Sequence, residues 1–224
     1  GVFYLDQDEI FAGGGIKGNL IKCVAVESSQ RSEQLSSRLI SHLSSAIRER
    51  GFDSVNIYTK PSNRAIFESL GFTTIATAQK AILMESSSND IALYTKYLQS
   101  FKKDGVCGAI VMNANPFTLG HRYLVEQAAQ QVDNLYVIAV DEDKSYFTTS
   151  ERIAMIEAGC NDLSNVTVCR GSKYIISQTT FPTYFLKEIT EATEAQIELD
   201  LNIFTKYIFI SVFILVSVIY FYDF

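Results

Sequence analysis

At 224 residues the chain is long enough for one or two domains, each with a sizeable core. An apolar fraction of 47% with 12% aromatics is that of a globular protein, and a formal net charge of −6 excludes the broad basic footprint of a nucleic-acid binder. The cysteines, Cys23, Cys107, Cys160 and Cys169, stand far apart with neither CxxC pairing nor metal-ligand spacing, so they read as buried free thiols of a reducing cytoplasm. Gly1–Ile10 carries acidic residues and lacks the basic head of a signal peptide. There is no initiator methionine and the start reads mid-strand, which predicts an N-terminally truncated fragment.

From the amino terminus, Gly1–Val26 reads as strands around a Gly13-Gly14-Gly15 turn, the last being Leu20–Val26. After a polar turn at Ser28–Glu33, Leu35, Leu39, Leu43, Ala46 and Ile47 recur at helical spacing up to Gly51. His42 lies mid-helix with no carboxylate at pairing distance in sequence, and so reads as a surface or satisfied histidine. A strand over Ser54–Tyr58 must end before Pro61, which cannot sit in a central strand. Asn63–Leu70 reads as a short helix closed by Gly71, since glycine suits the left-handed position after a helix. Phe72–Met84 supplies a last strand, and the serine-rich Glu85–Asp90 marks a domain boundary.

Ile91–Lys103 is then a connecting helix. The most informative stretch follows, Gly108–Ala128: an apolar run to Met112, a corner Asn113–Pro116, then Thr118-Leu119-Gly120-His121 opening a helix. Backbone N–H groups and the dipole at a helix start favour an anion such as phosphate, and a histidine there can donate to developing charge. The same spacing also describes an ordinary strand–helix turn whose histidine caps the helix. Asn134–Asp141 is a near-continuous apolar run, as expected of a parallel strand buried on both faces. Asp141 and Asp143, just past its end, could assist Mg²⁺ or be solvated loop carboxylates. Thr148–Glu151 has the form of a capping box, and Arg152, Ile153 and Ile156 follow at helical spacing to Gly159. Asn165–Cys169 reads as a strand, Tyr174–Ile176 as its extension or another, and Phe181–Glu194 as a helix. Alternating strands and helices predict a parallel sheet with ligands at the carboxyl ends of its strands, where Asn113–His121 falls.

Two resemblances sharpen this. Asn63–Phe72 (NRAIFESLGF) is similar to a motif of the GNAT acetyltransferases, over roughly residues 1–85. That family's pyrophosphate loop would fall at Arg31–Ser36, where Gln34 and Ser36 replace small residues and Glu33 adds negative charge, so a carrier-recognising or structural role is expected over acetyl transfer. The second unit resembles HxGH nucleotidyltransferases through Thr118–His121. Its segments VMNANPFTLGHRYLVEQA, SYFTTSERIAMIEAG and SKYIISQTTFPTYFLK resemble the citrate lyase ligase family. The fold so implied is α/β: a GNAT-like mixed-sheet domain (1–85), a linker helix (86–104), a Rossmann-like parallel-sheet nucleotidyltransferase domain (105–206), incomplete at its carboxyl end, and an aberrant apolar tail (207–224).

The resemblance implies ATP-dependent acetylation of the phosphopantetheine-type thiol of the citrate lyase acyl carrier subunit, through acetyl adenylate, in the cytoplasm. ATP and Mg²⁺ are the implied cofactors, acetate and the carrier the partners, with no nucleic acid and no protein-held metal. Thr118 and His121 would be the catalytic pair, stabilising charge on the α-phosphate. Asn113, Asn115, Phe117 and Gly120 would line the ATP site, with Arg152 a phosphate contact or a helix-surface residue. From Ile208 the chain becomes IFISVFILVSVIYFYDF, an apolar stretch of about 16 residues, short of the roughly 20 of a spanning helix. It reads as a tail anchor, as a buried helix or strand or, the favoured reading, as translation out of frame or past a truncation. A membrane is a partner only if the 208–222 tail is genuine. The contrasting readings are an inactive remnant or carrier-binding module, and an adenylyltransferase making a dinucleotide cofactor.

Overall fold

The computed structural model describes residues 2–6, 9–27, 33–87, 89–141, 146–175, 185–186 and 189–208. Arg31, Ser32, Asp143, most of 176–188 and the tail beyond Ile208 lie outside them. The chain packs as two compact units, Gly1–Leu93 with Pro182–Asn202, and Tyr94–Phe181 with Ile203–Phe224.

In the first unit the strands β1 (Val2–Asp6), β2 (Glu9–Lys17) and β3 (Leu20–Val26) form an antiparallel meander. Helix α1 (Glu33–Glu49) leads to β4 (Asn56–Thr59), which runs parallel to β3 and pairs with it only at Leu20–Asn56 and Ile21–Ile57. Helix α2 (Arg64–Ser69) precedes the hairpin β5 (Thr73–Thr77) and β6 (Ile82–Glu85). The sheet order is β1-β2-β3-β4-β6-β5, mixed in direction, as the sequence reading expects of this half. Leu39, Ile40, Leu43 and Ile47 of α1 are at most 2% exposed and pack on Ala12, Ile21 and Ile57 of the sheet. Burying such a side chain contributes about 1.5–3 kcal/mol, so this face fixes the helix on the sheet.

Three local expectations need correction. Gly13–Gly15 is not a turn; it lies inside β2, where the register shifts between Gly13 and Gly15, and the turn comes at Gly18, φ +57°. A Cβ on Gly14 would sit 2.7 Å from Leu43 Cδ1, so this glycine serves the close approach of α1. Phe72–Met84 is two strands, because Ala78 N–H closes a turn on Ala81 O at 2.7 Å. Cys23 is exposed, whereas Cys107, Cys160 and Cys169 are buried; its backbone is left-handed (φ +53°) opposite the β2 irregularity, which breaks the alternation of β3. His42 is exposed on α1.

In the second unit, β7 (Cys107–Met112), α4 (Leu119–Ala129), β8 (Asn134–Ala139), α5 (Thr149–Gly159) and β9 (Val166–Arg170) alternate. The strands form a parallel sheet of order β7-β8-β9, in register Met112–Ala139 and Ala139–Arg170 at their carboxyl ends. All of β7 is buried, which explains its unbroken apolar run. Ile110, Met112, Val125, Ala128, Val137 and Ile156 form the core under α4 and α5. Tyr174 does not extend a strand. Gly171 lies against Ala139 O, Ser172 turns to φ +55°, and Ser172–Tyr174 makes a 3-10 turn.

Helix α3 (Asn89–Gln99) falls in the expected connecting segment, and α6 (Ile189–Ile208) continues beyond the expected end at Glu194. The residues Ala192, Ala195, Gln196, Leu199 and Asp200 of α6 recur at helical spacing and are buried. This part of α6 belongs to the first unit, where Glu198 accepts from Gln79 N–H at 2.6 Å, Asn202 Oδ1 from Thr77 N–H at 3.2 Å, and Glu191 pairs with Lys80. Among the described residues no helix is long and apolar enough to cross a membrane.

Candidate active site

The loop from Asn113 to Thr118 leaves β7 at the end where all three strands of the second sheet terminate. Its path is held from below by Arg152, which is fully buried rather than on the helix surface. The guanidinium donates to Asn113 O (2.8 Å), Asn113 Oδ1 (3.0 Å), Val140 O (2.9 Å), Phe147 O (3.2 Å) and Thr149 Oγ1 (2.9 Å). One residue on α5 thus ties the outgoing ends of β7 and β8 to the start of its own helix. A planar fork with several fixed donors suits such convergent carbonyls; lysine would not. Asn115 Oδ1 accepts from Phe147 N–H at 3.1 Å, so both loop asparagines are engaged in holding the corner. Between them Ala114 is 1% exposed with a left-handed backbone, φ +49°, a conformation that costs an alanine about 1 kcal/mol or more.

Thr118 then caps α4. The backbone N–H of Thr118 donates to Nδ1 of His121 at 3.1 Å, and Thr118 Oγ1 lies 2.8 Å from the same nitrogen. An Nδ1 that accepts the backbone hydrogen bond carries a lone pair, so in the neutral ring the proton sits on Nε2. The ring of Phe117 lies nearly parallel to the imidazole, with centroids 5.7 Å apart and planes at 22°. Gly120 is exposed in the first turn of α4, where backbone N–H groups have no partner within the helix. Thr118, Phe117, Gly120 and His121 therefore share one corner, and Asn113, Asn115 and Arg152 form the scaffold beneath it.

Two further residues shape this corner without having been singled out from the sequence. Arg122, next to His121, forks onto Asp162 with Nη1 at 2.6 Å and Nη2 at 2.7 Å, binds Glu126 through Nε at 2.7 Å, and reaches the carbonyl of Gly159. The pairing holds the Asp162 carboxyl below its ordinary range and raises the guanidinium. Gly159 itself receives the edge of the Phe117 ring, since a Cβ there would meet ring carbons at 2.5 and 2.7 Å. The sequence signal for both was weak. An arginine one turn into a helix reads as solvated, and a glycine after an apolar stripe reads as a helix stop.

At the start of α5 the Thr148–Glu151 capping box forms as expected, and the N–H of Thr148 holds the Glu151 carboxyl low. Asp141 stands 4.0 Å from the Nε of Arg170, and Arg170 also bonds Ser150 at 3.2 Å. Among the described residues no group of three or more His, Cys, Asp or Glu could hold a metal ion.

Residues 107–216 match the citrate lyase ligase C-terminal domain. The citrate (pro-3S)-lyase ligase of Haemophilus influenzae is 44% identical over 209 residues, 92% of this chain and 62% of that protein. Its counterpart in Klebsiella pneumoniae is 43% identical over 202 residues, 89% of this chain and 59% of that protein. The chain thus spans about three fifths of the length of these relatives. A phosphopantetheine adenylyltransferase of Ruegeria pomeroyi is 48% identical over 52 residues, 22% of this chain and 32% of that protein. Among solved structures, an aminoglycoside 6'-acetyltransferase type Ii aligns over 37% of this chain and 64% of its own, at 22% identity and a TM-score of 0.32. By its second unit the chain matches the citrate lyase ligase C-terminal domain, and over most of its length it is similar to the citrate (pro-3S)-lyase ligases.

Proposed function

We propose that this chain activates acetate with ATP and passes the acetyl group to the thiol prosthetic group of the citrate lyase acyl carrier subunit. An acetate oxygen attacks the α-phosphorus, the bond to the β-phosphate breaks, and pyrophosphate leaves. The carrier thiol, as thiolate, then attacks the acyl carbon of acetyl adenylate; the C–O bond breaks, AMP leaves, and the thiol proton passes to solvent. The reaction runs in the cytoplasm; similarity to the citrate (pro-3S)-lyase ligases supports the ligase activity.

The observation that carries this reading is the hydrogen bond from Thr118 N–H to Nδ1 of His121. It leaves Nε2–H as a donor at the amino end of α4, where N–H groups and dipole favour negative charge. His121 and Thr118 then stabilise charge on the α-phosphate, and Gly120 allows the phosphates close to the backbone. Phe117 shapes the wall beside His121, and Asn113 and Asn115 act with Arg152 to hold the corner that receives the nucleotide. Phosphoryl transfer asks little covalent chemistry of a protein, so positioning and electrostatics suffice. Mg²⁺ would enter with the ATP phosphates, as this ion commonly does.

The test is acetate-dependent exchange of pyrophosphate into ATP, with Mg²⁺ present. The wild-type protein is expected to catalyse it, and His121→Ala to lower it by roughly 10²–10³-fold, the loss typical of one donor to a developing anion. Folded wild-type protein without exchange would overturn the reading in favour of a carrier-binding role.

A further inference from the structure

The corner contains a tier of contacts that the chemistry above does not use. Phe117 stacks its face on His121 and sets its edge against Gly159, which comes from the far end of α5. The carbonyl of Gly159 accepts from Arg122, whose guanidinium is forked onto Asp162. Gly159 therefore meets the His121 corner twice, through its bare Cα and through its oxygen. Its Cα lies so near the ring that a methyl group would overlap carbon atoms at 2.5 and 2.7 Å, and the ring would have to move. The neighbour that such a movement would disturb is the imidazole.

We propose that Gly159 and Phe117 are positioning residues for His121: Gly159 seats the Phe117 ring, and the ring fixes the imidazole plane so that Nδ1 stays on Thr118 N–H. This rests on the reading of His121 as the phosphate donor. The Arg122–Asp162 fork keeps the end of α5 at the depth this seating requires. An aromatic face restricts rotation of a stacked ring, and loss of that restriction lets the imidazole turn, breaking the bond that selects its tautomer. Misplacement of a reacting group by about 1 Å can cost 10²-fold in rate.

Long-range 1H–15N spectra of histidine-labelled protein read the tautomer directly. The chain has two histidines, and His42→Gln, on the exposed face of α1, assigns the signals. In the wild type, Nδ1 of His121 is expected unprotonated and Nε2 protonated. In Gly159→Ala a mixture of tautomers is expected, with the exchange kcat roughly 10- to 100-fold lower and KM for ATP within about threefold, as for an interaction made mainly in the transition state. If Gly159→Ala does not fold, the double variant Gly159→Ala/Phe117→Leu gives the methyl group room. Without the stacked ring it should show the same mixture and the same low kcat. A wild-type tautomer in either folded variant overturns the proposal. If the wild-type protein lacks exchange altogether, the functional reading fails, while the tautomer comparison still decides whether Gly159 positions His121.

Discussion

Replacing Arg152 by methionine keeps most of the side-chain volume and removes the guanidinium. Five acceptor atoms lose the guanidinium as a donor: Asn113 O and Oδ1, Val140 O, Phe147 O and Thr149 Oγ1, all now bonded to it at 2.8–3.2 Å. Hydrogen bonds to a charged group contribute about 1.5–3 kcal/mol each, and an orphaned buried acceptor costs about 1–3 kcal/mol. These terms are not additive, because desolvating the guanidinium is itself expensive. Removing one side of a buried charged network costs about 3–5 kcal/mol, and that is the loss expected. At a slope near 2 kcal/mol/M, it moves the urea midpoint of the second unit down by about 2 M. Far-UV circular dichroism reads the transition. Arg152→Lys should fall between the two, since an ammonium cannot span strand ends as the planar fork does. A midpoint shift below about 0.3 M in Arg152→Met, with an unchanged slope, would refute the idea that Arg152 holds the corner together.

Two further expectations concern the first unit. Gly14→Ala places a methyl 2.7 Å from Leu43 Cδ1 in a fully buried contact, and overpacking of this kind costs about 1–3 kcal/mol, readable as a lower Tm. Asp200, buried on α6, has its carboxyl pushed well above the ordinary 3.8 by desolvation. Because its folded-state pKa is the higher, the stability it contributes is complete below the unfolded value and is lost as pH rises from about 4 toward the folded pKa. Asp200→Asn should flatten that decline in urea titrations between pH 4 and 7; an unchanged pH dependence would remove Asp200 as its source.

The strongly periodic elements were legible from residues alone. Leu39, Leu43 and Ile47 gave α1 its face, the apolar run of β7 announced a strand, and that of β8 a strand buried on both sides. The His121 corner was legible as a strand–loop–helix junction, yet its spacing left anion site and helix cap equally open. In the structure the histidine caps the helix through Nδ1, and the proposed phosphate site would share that corner. What stayed hidden depends on partners distant in sequence. Arg152 reads as a surface residue because its acceptors lie up to 39 positions away, and Gly159 reads as a helix stop because nothing nearby reveals Phe117. The Gly13–Gly15 run misled for the same reason. Three glycines suggest a turn until the helix lying over them is known.

The return of α6 to the first unit bears on how the chain is made. Glu198 meets Gln79 across 119 positions and Asn202 meets Thr77 across 125. Between those partners the ribosome must synthesise all of β7, β8 and β9, a sheet whose neighbours follow each other in order and close over short separations. Synthesis at about 5–20 residues per second leaves the hairpin of β5 and β6 waiting several seconds for its covering helix. The sheet that begins second can thus be finished first. A fragment ending at Leu93 would therefore lack the helix that covers Thr77 and Gln79, even though every strand of its sheet was present.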